Sequence, residues 1–171
     1  MKKKIVVLGF LGTNLDQGGK PRWGRWRPTI SLGQQDDLLV DRFELFYEKN
    51  FLDLAQLVQK DFQQVSPETE FNLREVVLKD PWDFQTVYSG IFDNLKDYKF
   101  DTDNEEYLVH ITTGTHVIQI CLFLLTESRH IPGKLLQTHM QKSRNPNGTY
   151  TIIDLDLSKY DKIAERFHQE Q

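Results

Sequence analysis

The strongest constraint on the fold is a continuous apolar run near the start of the chain, IVVLGF at residues 5–10. The run contains β-branched residues and shows no alternation of polar and apolar positions. A strand of this kind is buried on both faces, which is typical of the parallel sheets of α/β proteins. We therefore predict that this segment is a central strand of a parallel sheet.

Strand and helix patterns alternate along the rest of the chain. Further strands are predicted at residues 43–47, 70–78, 107–111, 135–140 and 150–157. The last two flank the turn signal SRNPNG and are expected to form an antiparallel hairpin. This order predicts an α/β fold, a Rossmann-like three-layer sandwich whose sheet is mostly parallel and ends in an antiparallel C-terminal hairpin.

Helical periodicity fills the segments between the strands. Asn50 is the predicted N-cap of one helix, which ends before Ser66 and Pro67. Asp80 is the predicted N-cap of a second helix, with Pro81 at its first position and an apolar stripe that reaches Tyr98. A third helix, VIQICLFLLTESR, is apolar on most sides, which predicts burial between the sheet and another element or a second subunit.

Length and composition indicate one soluble globular domain, since the chain has 171 residues, of which 39% are apolar and 27% charged. We divide it into a domain at residues 1–157 and a terminal linker helix at residues 158–171. The basic and then apolar start lacks a signal-peptide cleavage site, and no run approaches the roughly 20 apolar residues of a membrane span. The single cysteine, Cys121, is interpreted as a buried core thiol. The expected location is the cytoplasm.

Charge is informative through its position. The net charge is −4, yet two windows lack acids and carry cations, one between Asp16 and Asp36 and one between Glu127 and Asp154. Such windows suit a polyanion, because Lys and Arg near phosphates gain Coulomb and counterion-release energy. The alternative is two solvated loops that happen to lack acids.

Two loops are expected at the carboxyl edge of the sheet, where α/β proteins bind ligands. The first, GFLGTNLD, follows the first strand and contains two glycines that permit close approach to the backbone. It lacks the dinucleotide fingerprint and the Walker spacing, so neither NAD nor ATP is indicated and no cofactor is predicted. Its candidate ligand-binding residues are Gly9, Phe10, Leu11, Gly12 and Thr13.

The second loop, TTGTH, lies between a predicted buried strand and a predicted buried helix. Its backbone N–H groups, hydroxyls and imidazole can converge on an anion at the helix N-terminus. Ordinary capping of the helix by one threonine is the alternative. The candidate ligand-binding residues are Thr112, Thr113, Gly114, Thr115 and His116, whereas His110 in the preceding strand is interpreted as a core histidine.

The basic–aromatic segment, KPRWGRWRP at residues 20–28, interleaves arginines with tryptophans. This pattern suits stacking on bases together with contacts to phosphates. We therefore add Arg25, Trp26 and Arg27 to the candidate ligand-binding residues. The alternative is a packed loop in which the tryptophans are hydrophobic plugs.

A family resemblance is carried by several segments in order: GFLGTNLD, RWRPTISL, DDLLVDRFELFY, VSPETE, DPWDFQTVY and above all YLVHITTGTHVIQICLFLLTE. Over essentially the whole chain they resemble the N-terminal domain of the RtcR family, transcriptional regulators of the RNA 3′-terminal phosphate cyclase and RNA ligase operon. That domain is similar to the CRISPR-associated Rossmann fold (CARF) domains, sensors that dimerise and bind short RNA or cyclic oligonucleotides. The family's ligand loops fall on residues 9–13 and 112–116 of this chain.

The resemblance implies a regulatory sensor domain of a bacterial sigma-54-dependent activator, with no catalytic residues and no metal. An AAA+ ATPase and a DNA-binding domain would follow it, and contacts to DNA and the polymerase would be made only through them. The implied ligand is RNA, such as tRNA-derived fragments with 2′,3′-cyclic phosphate ends, whose binding would relieve restraint of the ATPase. The implied partners are this ligand and a second copy in a homodimer, with no membrane.

Two other classes of function stay open. Some CARF domains cleave their ligand, and His116, Thr113 and Lys134 are the residues that a metal-independent ribonuclease would use here. The chain could instead be a dimerisation module with no ligand.

Overall fold

The computed structural model describes residues 2–141 and 145–154, which form one mixed sheet flanked by helices. The strands are β1 (Lys4–Phe10), β2 (Arg42–Tyr47), β3 (Glu70–Glu75), β4 (Glu105–His110), β5 (Gly133–Gln141) and β6 (Asn145–Ile153). The helices are α1 (Pro28–Gly33), α2 (Leu52–Val65), α3 (Phe84–Leu95) and α4 (His116–Glu127). Short 3₁₀ turns at Arg22–Gly24 and Lys49–Phe51 precede α1 and α2.

The sheet has the strand order β3-β2-β1-β4-β5-β6. The first five strands are parallel, and β6 pairs antiparallel with β5. β1 lies inside the sheet and is buried from Val6 to its end, as its apolar run predicts. The predicted fold class is therefore confirmed.

Two apolar layers cover the two faces of the sheet. One face packs against α1 and α2, and the other packs against α3 and α4. Successive residues of β1 alternate between the layers, with Val7 in the first and Leu8 in the second. Cys121 of α4 is fully buried in the second layer, and burial raises the pKa of its thiol to about 11, as expected of a core thiol.

The direction of winding reverses at β1. The chain first builds outward from β1 to β2 and β3, and it then returns to place β4 on the other side of β1. The carboxyl ends of β1 and β4 are therefore neighbours at the point where the strand order reverses, which is where open α/β sheets bind ligands. Topology thus brings the two predicted ligand loops to one place.

The prediction for the start of α3 is wrong by one turn. Asp83 is the N-cap, and its carboxylate accepts hydrogen bonds from the Thr86 backbone N–H at 2.9 Å and the Thr86 hydroxyl at 2.6 Å. These hydrogen bonds lower the pKa of Asp83. Asp80 instead accepts from the backbone N–H of Trp82 at 3.0 Å, so Asp80 and Pro81 form a turn before the helix. Two aspartates that lie three residues apart are both suitable N-cap residues, and the second, Asp83, caps the helix.

Other boundaries also differ from the predictions. Phe51, not Asn50, is the N-cap of α2, because a 3₁₀ turn precedes that helix. α3 ends at Leu95, before Tyr98, and β3 ends at Glu75. The predicted turn SRNPNG is partly wrong, since β6 begins at Asn145 and the ladder has an irregularity between His139 and Gln141.

Some predictions lie outside the described residues. These are the end of the last strand beyond Asp154, the linker helix at residues 158–171 and the cations Lys142 and Arg144. The domain boundary at residue 157 accordingly stays a prediction. Within the described part of the chain, no helix has the length and apolar character of a membrane span.

Candidate functional site

The loops after β1 and β4 contact each other directly. The Thr113 hydroxyl donates a hydrogen bond of 2.5 Å to the carbonyl oxygen of Phe10. A side chain on Gly12 would clash, because its Cβ would lie 2.9 Å from the Thr113 methyl group. The structure therefore brings the two predicted loops together, and glycine at position 12 makes the close approach of the loops sterically feasible.

A buried carboxylate shapes the loop after β1. Asp16 is fully buried and accepts hydrogen bonds from the Gly12 N–H at 2.7 Å, the Thr29 N–H at 2.9 Å and the Thr29 hydroxyl at 2.7 Å. Burial raises the pKa of Asp16, although these hydrogen bonds act in the opposite direction. Asp16 thus fastens the loop after β1 to the start of α1. This role was not predictable from the sequence, because nothing local pairs Asp16 with Thr29.

The threonine hydroxyls of TTGTH are engaged within the protein. Thr112 Oγ1 accepts from the Thr138 N–H of β5 at 2.9 Å. Thr115 is the N-cap of α4, where its hydroxyl oxygen accepts from the Ile118 N–H at 3.1 Å and its O–H donates to the Pro81 carbonyl oxygen at 2.9 Å. With Thr113 bonded to β1, all three hydroxyls have structural roles. The capping alternative accounts for Thr115, and the groups of this loop best placed for a ligand are backbone N–H groups and His116.

Gly114 is needed for the backbone of this loop. Its φ of +91° is one that residues with a side chain rarely adopt, and a Cβ would lie 3.0 Å from the Ile118 side chain. Gln119 of α4 donates to the carbonyl oxygens of Thr112 and Gly114 at 3.3 and 3.0 Å. Gln119 therefore satisfies two carbonyl groups of the loop from within α4.

A cavity of about 200 Å³ opens where these loops meet. Five of the thirteen candidate residues contribute to its lining, which comprises Phe10, Leu11, Thr13, Tyr47, Glu48, Phe51, Pro81, Trp82, Gly114, Thr115 and Ile118. The lining joins the ends of β1 and β2 to the loop before α3 and to the first turn of α4. The predicted loops thus share a cavity with aromatic residues that the sequence analysis missed.

Trp82 and His116 form the exposed side of this site. Trp82 is 61% exposed, and its ring centroid lies 5.4 Å from that of His116, with the rings tilted by 56°. His116 is the first residue of α4 and is exposed. An imidazole beside the N-terminus of a helix can contact an anion together with the free N–H groups of the first turn.

Glu48 is the acidic residue of this lining. It follows β2 directly and is partly buried, and burial raises the pKa of its carboxyl group. A rule that ligand sites lie beyond the carboxyl ends of parallel strands would have pointed to it, because β2 neighbours β1. Glu48 was not among the predicted site residues, which come from the segments after the first and fourth strands.

His110 lies beneath the site, at the end of β4, and is fully buried. Its Nε2 is 2.9 Å from the Thr138 hydroxyl, and its Cβ would be 3.3 Å from a Cβ added to Gly9. Burial lowers the pKa of His110 to about 3, so the imidazole is neutral in the folded protein. Its interpretation as a core histidine agrees with this geometry, while its Nδ1 has no hydrogen-bond partner among the described residues.

The basic–aromatic segment is fixed to α2 by an ion pair. Asp61, which is 1% exposed, accepts from Arg22 Nε and from Arg27 Nη1, both at 2.8 Å. Arg27 is itself 2% exposed, and its guanidinium lies 5.0 Å from the Trp23 ring centroid. For Arg27 the structure therefore supports the alternative of a packed loop, because its charge is already buried and paired.

The other two candidates of this segment differ from Arg27. Trp26 is partly buried, and its Nε1 would lie 2.5 Å from a Cβ added to Gly148 of β6, so the indole packs closely on that strand. Arg25 is exposed. The described residues that line the cavity include none from the segment. Ligand binding by Arg25 and Trp26 stays a prediction.

Larger depressions lie at the opposite, amino edge of the sheet. One of them, with a volume of about 440 Å³, is lined by acidic and basic residues. Lys134 lies in this lining and forms an ion pair with Glu106, with 3.1 Å between Nζ and Oε1. Lys134 is thus near the start of β5, whereas His116 follows the end of β4. The structure does not bring together the residues of the ribonuclease alternative, and the hydroxyl of Thr113 is bonded to β1. In the described residues, no group of three His, Cys, Asp or Glu side chains is arranged to hold a metal ion.

Known structures share this fold. The chain is similar to Enterococcus italicus Csm6 bound to cyclic hexa-2′-fluoro-hexa-dAMP, with a TM-score of 0.64, 15% identity, and 99% of this chain and 41% of that one covered. It is also similar to Can2 from Sulfobacillus thermosulfidooxidans in complex with cyclic tetra-adenylate, with a TM-score of 0.53, 15% identity, and 91% and 40% covered. The fold is that of the CARF domains, a class of Rossmann-like domains.

Sequence comparison is more specific. The model of the RtcR family, described as regulators of RNA terminal phosphate cyclase, matches residues 3–171, and the chain belongs to this family. The transcriptional regulatory protein RtcR of Escherichia coli (strain K12) is 47% identical over 174 residues, which cover 99% of this chain. The chain spans 33% of the length of that relative. The predicted family resemblance is therefore confirmed.

Proposed function

We propose that this domain is the sensor of a bacterial transcription regulator and that it binds an oligoribonucleotide at the cavity between the ends of β1 and β4. The observation that carries the proposal is the convergence of both ligand loops, an exposed tryptophan and a helix N-terminus at the point where the strand order reverses. Two proteins of the same fold hold cyclic oligonucleotides in their structures, which supports a ligand of this class.

The family supplies the biological context of the proposal. RNA terminal phosphate cyclase acts on RNA ends, so RNA with damaged ends is a suitable signal for its regulator. The proposed ligand is therefore a tRNA or RNA fragment with a 2′,3′-cyclic phosphate end. In the full-length regulator, binding would relieve restraint of an AAA+ ATPase that acts on sigma-54 polymerase in the cytoplasm. The proposed assembly of the sensor is a homodimer, because α4 has an exposed apolar residue, Ile120, in an otherwise largely apolar helix.

The test measures retention and cleavage of labelled RNA fragments that differ only in a 2′,3′-cyclic phosphate or a 3′-hydroxyl end. We expect retention without cleavage. His116→Ala should weaken binding by about 1.5 to 3 kcal/mol, the contribution of a hydrogen bond to a charged group. Cleavage by the unmodified domain that disappears in His116→Ala would establish the ribonuclease alternative instead.

Gly114→Val tests the loop itself. Valine would have to adopt the φ of +91° of Gly114, which residues with a side chain disfavour, and it would meet Ile118, so the loop must rearrange and binding should be lost. Gly24→Val is the matched control, because no atom lies within 4 Å of a Cβ at that position. Circular dichroism and the denaturation midpoint establish that both variants keep the sheet. Unchanged RNA retention by folded Gly114→Val would exclude this loop from the site.

A further inference from the structure

The cavity at the carboxyl edge carries a negative charge where a phosphate site would need a positive one. Among the described residues that line it, Glu48 is the only one with a charged side chain. A phosphate inside the cavity would therefore face a carboxylate without a compensating Lys or Arg. The phosphates of a ligand are better placed at the rim, beside His116 and the first turn of α4.

The Glu48 carboxylate has unused capacity to accept hydrogen bonds. Within residues 2–141 and 145–154, no hydrogen bond or ion pair involves its side chain, although burial takes part of it out of water. An ionised carboxylate only accepts hydrogen bonds. Its natural complement in a ligand is therefore an N–H or O–H donor.

The remaining walls of the cavity are suited to a flat ring. Trp82 and Phe51 both line it and are 61% and 37% exposed, so neither side chain is covered by the rest of the domain. Bases stack on such aromatic side chains in single-stranded nucleic acid complexes. The cavity of about 200 Å³ is below the range of roughly 300 to 1,000 Å³ of pockets that enclose drug-sized ligands. Its size suits one ring system and not a whole nucleotide.

We infer that the cavity holds one base of the RNA ligand and that Glu48 selects a base with an exocyclic amino group, namely adenine, cytosine or guanine, over uracil. The inference rests on the proposed function and adds base selectivity to it. Cytosine presents its N4 amino group to the carboxylate, as it does to Glu and Asp in DNA complexes. Uracil presents the O4 carbonyl at that position, so acceptor faces acceptor there, and its N3–H donor lies between two carbonyl oxygens that repel the carboxylate.

The variant Glu48→Gln separates selectivity from folding. The amide has the same shape as the carboxyl group, but it can present either its oxygen to an amino group or its NH₂ to a carbonyl. Affinity for cytosine should therefore change little, whereas uracil should bind better than in the unmodified domain. A residue with a purely structural role would change both affinities in the same direction.

The experiment measures the affinity of two labelled pentaribonucleotides with 2′,3′-cyclic phosphate ends, one of cytidines and one of uridines. We expect the domain to bind the cytidine RNA about tenfold more tightly, the lower part of the range for one good base contact. In Glu48→Gln the ratio should fall to about twofold or less. Glu127→Gln, an exposed carboxylate at the far end of α4, is the matched control and should keep the full ratio.

Trp82→Ala provides a second, independent readout. Because an aromatic side chain can stack on any base, the affinity of the variant for both RNAs should fall by about tenfold. The ratio of the two affinities should stay unchanged. Retention of both RNAs with equal affinity by the unmodified domain would overturn the base selectivity and leave the proposed function intact. Retention of neither RNA would overturn the proposed function, and the assignment of the cavity with it.

Discussion

The TTGTH loop and the basic–aromatic segment both carry the residue types of a nucleic-acid site, yet the fold uses them differently. In the segment, Arg22 and Arg27 converge on Asp61, and the more deeply buried arginine has no accessible charge left for a phosphate. At the TTGTH loop the hydroxyls are similarly engaged, but Trp82 and His116 remain exposed beside a cavity. The difference shows that a donor is available to a ligand only where the fold has not already given it a partner.

Removing the partner of the two arginines should have the largest effect on this contrast. In Asp61→Asn, the guanidinium of Arg27 stays buried without a counter-charge, so the free energy of unfolding should fall by about 3 to 5 kcal/mol. Asp53→Asn, an exposed acid on the same helix, should lower it by less than about 1 kcal/mol. Urea denaturation of both variants checks this. Equal losses would mean that the segment is not held by Asp61.

The free energy of unfolding should depend on pH through His110, which lies beneath the cavity. His110 has a pKa of about 3 in the folded protein and an ordinary value of about 6.5 when unfolded, so the unfolded state binds the extra proton between these values. The stability associated with neutral His110 is therefore complete above about pH 6.5 and decreases as the pH falls, by about 1.4 kcal/mol per pH unit.

Between pH 6.5 and 4.5, this amounts to about 2 to 3 kcal/mol. His110→Gln keeps a polar partner for the Thr138 hydroxyl and does not titrate, so its free energy of unfolding should decline less steeply over that range. The difference between the two proteins, measured by denaturation at each pH, isolates the histidine from the carboxylates. Parallel pH profiles would contradict a neutral buried imidazole.

The smallest expected effect separates Arg25 from the anchored arginines. Arg25 is exposed, so Arg25→Ala should leave stability unchanged. If Arg25 contacts a phosphate of the RNA, the slope of log affinity against log salt should decrease by about 0.7. Lys99→Ala, an exposed cation outside the two cationic windows, should leave the slope unchanged. An identical slope for both variants would mean that Arg25 makes no phosphate contact.

Features set by local patterns were predictable, and features set by distant contacts were not. The apolar run of β1 and the alternation of strands and helices predict the layered sheet, because periodicity reports burial directly. The cap of α3 was misplaced because Asp80 and Asp83 are both good N-cap residues, and the choice depends on the turn around Trp82.

The candidate site shows the same limit. The two loops were predictable because each follows a strand pattern with glycine. Glu48 and Trp82 were missed because they follow β2 and β3, and only the strand order brings them beside the end of β1. The burial of Arg27 depends on Asp61, which lies 34 residues away.

The hydrogen bond between Thr113 and Phe10 also constrains when the site can form during folding. It joins residues 103 positions apart, so a loop of that length must close before the two halves of the cavity meet. Contacts of such separation form slowly, and parallel strand pairs add to this. During synthesis, β1 must wait for β4 and the start of α4 to emerge before the cavity exists. The proposed ligand site therefore requires β4 and the start of α4, and we expect a truncated chain that ends before His116 to bind no ligand there.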